Sequence, residues 1–235
     1  MNKLFFGCLA GCAIMLMSCQ QQVYCLNGKA DNEHVEGRMV TLKLPLAGGE
    51  WESLDSCEVT HGLFALRGTV DTVTMTTLFV DDMPVMPVIL EPGKMDVDIS
   101  NLELRVSGTP LNDKLYAFID SKNKLDSRLM ELGHTESQMI MNGVPYEEVQ
   151  QYVDSTYNAL NNELIDLVSD FISSNYTNVL GECGFNMISN GMPQPDMTPL
   201  IRRVLDGAPQ SFKQLPVVND FIKAAQENSR YSNNY

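Results

Sequence analysis

The side chains with intrinsic reactivity in this sequence are few and widely spread. Six cysteines and three histidines occur among 235 residues, and no Cys-x-x-Cys is present. Cys57 comes nearest to an activated nucleophile, with Glu58 next to it and His61 four residues on. On an extended strand those side chains diverge, so the spacing alone does not make a Cys–His pair. His34, His61 and His134 fall in expected loops or turns, none with a second His or Cys at metal-ligand spacing. Asp96-Val97-Asp98-Ile99-Ser100-Asn101 opens like a calcium loop. It lacks the glycine at the sixth position, and its alternation is that of a strand with a solvated face. Asp81-Asp82 reads as a turn between strands rather than an acid/base pair. There is no Gly-x-Ser-x-Gly elbow, phosphate loop or dinucleotide fingerprint, so no catalytic residue, metal ligand or cofactor is expected.

A different chemistry is written at the N-terminus. Lys3 precedes a mostly apolar run, Leu4–Met17. As a helix that run would reach about 21 Å, short of the ~30 Å hydrocarbon core, which suits a secretory h-region rather than a spanning helix. Ser18 then precedes Cys19, with Leu16 three residues before the cysteine, and this pattern resembles the bacterial lipobox. The resemblance implies a lipoprotein signal peptide at 1–18, cleavage before Cys19, and a lipid thioether on Cys19. Residues 19–22, with Gln20, Gln21 and Gln22, would form a lipidated tether. More than one acyl chain makes such anchoring stable. No acidic residue follows the cysteine, where in some bacteria Asp retains a lipoprotein in the inner membrane, and no acidic run marks surface export. The expected location is therefore the outer membrane, facing the periplasm.

Cys8 and Cys12 would leave with the signal. With Cys19 acylated, Cys25, Cys57 and Cys183 remain, an odd set for an oxidising compartment. Cys25 and Cys57 are candidate redox residues and could pair as a disulfide, or all three thiols could serve as small buried hydrophobes. The balance of 16 Lys+Arg against 30 Asp+Glu, a net charge of −14, is repelled by phosphate backbones and anionic lipid. Nucleic-acid binding is not expected, and the lipid on Cys19 is the contact with the membrane.

The elements divide the chain into an α+β protein. Period-two alternation and turn residues place strands at 23–28, 37–44, 50–54, 56–60, 63–70, 72–80, 84–90, 95–99 and 102–107. Turns fall at Gly48-Gly49, His61-Gly62 and Pro92-Gly93. Residues 23–108 thus read as an antiparallel β-sandwich or barrel-like domain. At Gly108-Thr109-Pro110 the period changes, with Thr109 as N-cap and Pro110 in the first turn. Leu115, Phe118, Ile119, Leu125, Leu129 and Leu132 mark one helix ending at Gly133. Val149, Tyr152, Val153, Tyr157, Leu160, Leu164, Leu167, Val168 and Phe171 mark a second, from Val144 to about Ser174. The two form a long helical hairpin within a helical segment, 109–228, and shorter helices follow at 178–189, 198–205 and 216–226. Residues 229–235 read as a disordered tail.

Several short motifs stand in a definite order. They are Leu54-Asp55-Ser56-Cys57-Glu58-Val59, Gly62-Leu63-Phe64-Ala65-Leu66-Arg67-Gly68, Leu90-Glu91-Pro92-Gly93 and Val106-Ser107-Gly108-Thr109-Pro110-Leu111-Asn112-Asp113. Together they resemble a domain of unknown function found in Gram-negative lipoproteins, typically N-terminal to a thioredoxin-like, peroxiredoxin-related domain. This sequence has no Trp-Cys-x-x-Cys and no peroxidatic cysteine motif, so the resemblance carries no oxidoreductase activity over. Taken as residues, the motifs read as determinants of fold: glycines for turns, and Phe64 and Leu66 for one face. Asp71-Thr72-Val73 and Asp154-Ser155-Thr156 resemble short O-glycosylation tripeptides of some periplasmic proteins. Met130, Met139, Met141, Met187, Met192 and Met197 suit either core filling or an adaptable contact surface, core filling being the commoner use.

The function these features imply is a non-catalytic lipoprotein that binds or positions a partner. An envelope protein, such as a thioredoxin-like lipoprotein, is the partner class that the resemblance suggests. The alternatives are a thiol-redox accessory using Cys57 or Cys25, and a small-ligand-binding lipoprotein.

Overall fold

The computed structural model describes residues 22–31, 35–46, 49–100, 103–190 and 192–232. The signal peptide, Cys19, nearly all of the tether, His34, Gly48, Asn101 and Leu102, and the last residues of the tail lie outside the described residues. Eight strands come first: β1 (Val23–Asp31), β2 (Met39–Pro45), β3 (Trp51–Glu58), β4 (Leu63–Thr69), β5 (Thr74–Val80), β6 (Met83–Leu90), β7 (Gly93–Ser100) and β8 (Leu104–Ser107). Six helices follow: α1 (Pro110–Met141), α2 (Tyr146–Ser173), α3 (Val179–Ser189), α4 (Pro199–Asp206), α5 (Gln210–Lys213) and α6 (Pro216–Ser232). The protein is α+β, as its patterning indicates.

The strands form two four-stranded sheets, ordered β4-β1-β7-β8 and β3-β2-β5-β6. Leu26, Phe64, Leu66, Met95 and Val97 from the first sheet share a buried core with Val40, Leu42, Leu78, Met86 and Val88 from the second. Pairing is antiparallel with one exception, the central β1–β7 pair, which is parallel. A parallel pair needs a crossover; here the whole second sheet and β4 lie between the two strands, so the chain wraps one sheet before completing the other.

Two expected strands, 50–54 and 56–60, are one strand. β3 runs through Asp55, and the register shift opposite Leu42 and Lys43 absorbs the irregularity that looks like a break in the sequence. The His61-Gly62 connection does turn the chain, with φ of 53° and 70°. Both backbone N–H groups donate to the Glu36 carboxylate, at 2.8 Å each. Those two bonds hold Glu36 below the usual carboxylate range. The turn carries the chain from one sheet to the other. Asp81-Asp82 is likewise a turn, and Asp81 accepts from Arg38 and from the Met39 N–H.

α1 does not stop at Gly133. A helical glycine costs only about 1 kcal/mol, and the apolar seam continues past it. The helix ends instead at Asn142-Gly143, where Gly143 takes a φ of 75°. His134 consequently sits on a helix rather than in a loop. α5 went unmarked by periodicity because it is only four residues long. α6 runs to Ser232, past the expected end at Gln226 and into the segment read as disordered tail.

The helices are not a separate body. Leu115, Phe118, Phe171, Ile172, Cys183, Phe185 and Phe212 belong to the same continuous core cluster as the strands. Ile89 points away from the sandwich interior, between Val88 and Leu90 on the inner face, and helical residues bury it.

Candidate functional site

Residues of two of the motifs, 90–93 and 106–113, meet at the junction between sheet and helices. β6 is an edge strand with Pro84 and Pro87 in it, and its open side must be closed. Asn112, in the first turn of α1, closes it. Its Oδ1 accepts from the Ile89 N–H at 2.9 Å, and its Nδ2 donates to the Ile89 carbonyl at 2.8 Å. The side-chain amide thereby acts as one more strand residue. Nδ2 also donates to Thr109 Oγ1 at 2.9 Å. Beside it the Glu91 carboxylate, 7% exposed, accepts from the Leu111 and Asn112 N–H groups at 2.9 and 3.1 Å. It takes orphan donors at the helix N-terminus, where a negative charge is favoured. Thr109, the expected N-cap, makes no side-chain cap bond; Glu91 does that work from the strand side. Tyr116, one turn on, donates to the Pro87 carbonyl at 2.9 Å, and burial pushes its hydroxyl pKa up strongly. Asn112, Glu91 and Tyr116 thus hold the start of α1 against β6 and the residue that follows it.

The thiols are not brought together. Cys25, Cys57 and Cys183 are all free. Cys25 alternates with buried Tyr24 and Leu26, so it lies on the outer face of its sheet. Cys57 pairs with Val40 and packs partly against the core. Burial, the largest influence, and then the Asp55 charge push its thiol up, with a backbone bond from Ala65 opposing them. That direction is opposite to the one an attacking thiolate needs. Glu58 beside it is exposed, and His61 is held in the turn. Burial pushes Cys183 up to about 12. We therefore expect a small alkylating reagent to leave Cys183 unmodified in the native protein and to modify it once urea unfolds the chain. Because its folded pKa lies above the unfolded value, the stability it lends is whole below about pH 9 and is lost as pH rises toward 12. Cys183→Ala should flatten that alkaline slope of the unfolding free energy.

Several clefts mark the surface of the described residues. One, of about 570 Å³, opens at an end of the sandwich between Tyr24, Leu44, Leu54, Val70 and Leu90, with Asp55 and Arg67 beside them. Another, of about 530 Å³, lies along α1 against β6 and β8, lined by Pro87, Leu104, Tyr116 and Asp120. A third, of about 820 Å³, lies between Thr72–Thr74 and the α3 and α5 side, lined by Tyr176, Asn178 and Leu215. Thr72 of the Asp71-Thr72-Val73 tripeptide is in the first and third clefts.

The remaining feature is the hairpin itself. α1 and α2 are anchored at their base by stacked Phe118 and Phe171, with ring centroids 4.0 Å apart, and by Lys114 donating to Asn175. Further out, Leu125, Leu132, Val149 and Leu160 are buried yet stand outside the core cluster that joins sheets and helices. They form a seam between the two helices alone. Arg128 reaches across to Glu163 with two hydrogen bonds. From Leu125 to Met141 the arm extends about 24 Å. Its distal surface exposes Met130 (66%), Met141 (78%) and Tyr146 (69%), with Ile140, Tyr152 and Tyr157 also exposed. Tyr152 and Tyr157 lie on the stripe read as core-facing, and Met130 and Met141, with Met187, are outside rather than filling the core. Met192 and Met197 do pack on it.

The architecture is that of a sheet sandwich whose edge is sealed by a helical hairpin. Residues 24–115 match the family model described as "Domain of unknown function (DUF4369)". The match ends at Leu115, inside α1, so it contains both sides of the Glu91–Asn112 junction. No curated protein matches the chain.

Proposed function

We propose that the protein is a membrane-anchored lipoprotein of the periplasmic face of the outer membrane, non-catalytic, which binds and positions a partner protein. The observation that carries this reading is the helical arm: a hairpin that leaves the common core, holds itself together by its own seam, and exposes Met and Tyr side chains at its end. Exposed large apolar side chains grouped on one surface mark interaction sites. The lipobox-like N-terminus supports a lipid on Cys19 as the tether, and an envelope protein such as a thioredoxin-like lipoprotein is the partner class.

The thiols have no part in this activity. Replacing Cys25, Cys57 and Cys183 together by serine, serine and alanine should leave partner capture from envelope membranes at its original level. Loss of capture by a triple variant that still unfolds cooperatively would overturn the binding-only reading in favour of thiol chemistry.

A further inference from the structure

We propose that the distal end of the α1–α2 arm is a docking surface for a basic protein surface that presents apolar side chains among its lysines and arginines. The inference deepens the binding role above and rests on it. Its ground is the way charge pairing stops along the arm. Up to Arg128 on α1, and from Glu163 onward on α2, four of the hairpin's carboxylates are in ion pairs: Asp120 with Arg105, Asp126 with Lys122, Glu163 with Arg128 and Asp166 with Arg203. Beyond Arg128 no Lys or Arg occurs until past Tyr157. The carboxylates in that stretch, Glu131, Glu136, Glu147, Glu148 and Asp154, have no ion pair among the described residues.

The backbone adds to this field. The C-terminal end of α1 carries partial negative charge and has no basic residue in its last turn. The positive end of α2 beside it is offset by Glu147 and Glu148 in its first turn. Among these charges stand Met130, Met141 and Tyr146, each about two-thirds exposed or more. Met and Tyr are the residue types enriched where surfaces are buried by a partner.

Charge chooses the occupant. A second copy would bring the same anionic tip, and like charges juxtaposed oppose association. Anionic lipid is repelled for the same reason, as the net charge of −14 also requires. A cationic protein surface gains from both components, attraction to the carboxylates and burial of Met141 and Tyr146.

The test uses the full chain in an uncharged detergent, titrated with a fluorescent amphipathic helix built of leucine and lysine, and read by anisotropy. The expected result is saturable binding, weakened about tenfold in Glu131→Gln/Glu147→Gln/Glu148→Gln and also in Met141→Ala/Tyr146→Ala. The control Glu50→Gln/Glu52→Gln/Glu58→Gln, which removes equal charge from exposed positions around β3, should bind as the parent does. All these positions are at the surface, and matching thermal melting curves would show that the variants fold. Equal weakening by the two charge variants would overturn the proposal, because binding would then be diffuse. So would an unchanged affinity in the Met141/Tyr146 variant, a dimer that the same variant dissolves, or tip-dependent binding to phosphatidylcholine vesicles. Failure here, with a partner still captured from membranes, would move the docking surface elsewhere and leave the binding role standing.

Discussion

Asn112→Ala is expected to lower the unfolding free energy by about 3 kcal/mol, since it strands the N–H and carbonyl of Ile89 in a buried place. Asn112 is fully buried, and its amide supplies both bonds to that residue. Asn112→Asp should cost at least as much: it keeps an acceptor for the Ile89 N–H but loses the donor, and it sets a second carboxylate against Glu91. Urea unfolding measures both variants, with the midpoint shifting and the slope unchanged if the effect is on stability alone. A shift equivalent to under about 0.5 kcal/mol would mean that α1 is not secured to β6 through this amide.

The second large effect is expected at Gly28, a residue in the middle of β1. A Cβ there would fall 1.9 to 2.2 Å from three ring atoms of Phe64, its cross-strand neighbour on β4. The ring is buried, 5% exposed, so it covers the bare backbone of the glycine and has no free space to move into. Gly28→Ala should destabilise by about 3 kcal/mol, the upper end of ordinary overpacking. Phe64→Leu in the same chain should recover more than half of that loss, because the smaller side chain vacates the space the methyl needs. Strict additivity of the two substitutions in urea unfolding would show that the close approach is not the cause.

These two residues show where the sequence is readable and where it is not. The α+β division was legible because the hydrophobic period changes at Gly108-Thr109-Pro110 and turn residues recur before it. The parallel pairing of β1 with β7 was not, since alternation reports which face a side chain takes and not which strand lies beside it. Glu91 and Asn112 both stood out in short motifs, yet their union depends on an edge strand meeting a helix start far along the chain. Gly28 looks like any strand residue until Phe64 is laid across it. Along the arm, the apolar stripe of α1 was visible as far as Leu132 and that of α2 throughout, but periodicity assigns Tyr152 and Tyr157 to the same stripe as Val149 and Leu160. Only the geometry of two helices crossing without a third shows that the seam is too narrow to cover them. Gly133 failed as a stop because a continuing seam and a better turn at Asn142-Gly143 outweigh a single helical glycine.

The role proposed for the protein is binding at the envelope, and one measurement reaches it directly. Full-length protein is crosslinked in native membranes and purified beside a Cys19→Ala control, and the enriched proteins are identified. One envelope protein is expected to be enriched with the lipidated chain, and to be lost together with membrane retention in the control. Membrane retention without any enriched protein would contradict the binding role, and equal enrichment from the Cys19→Ala chain would contradict the part assigned to the lipid.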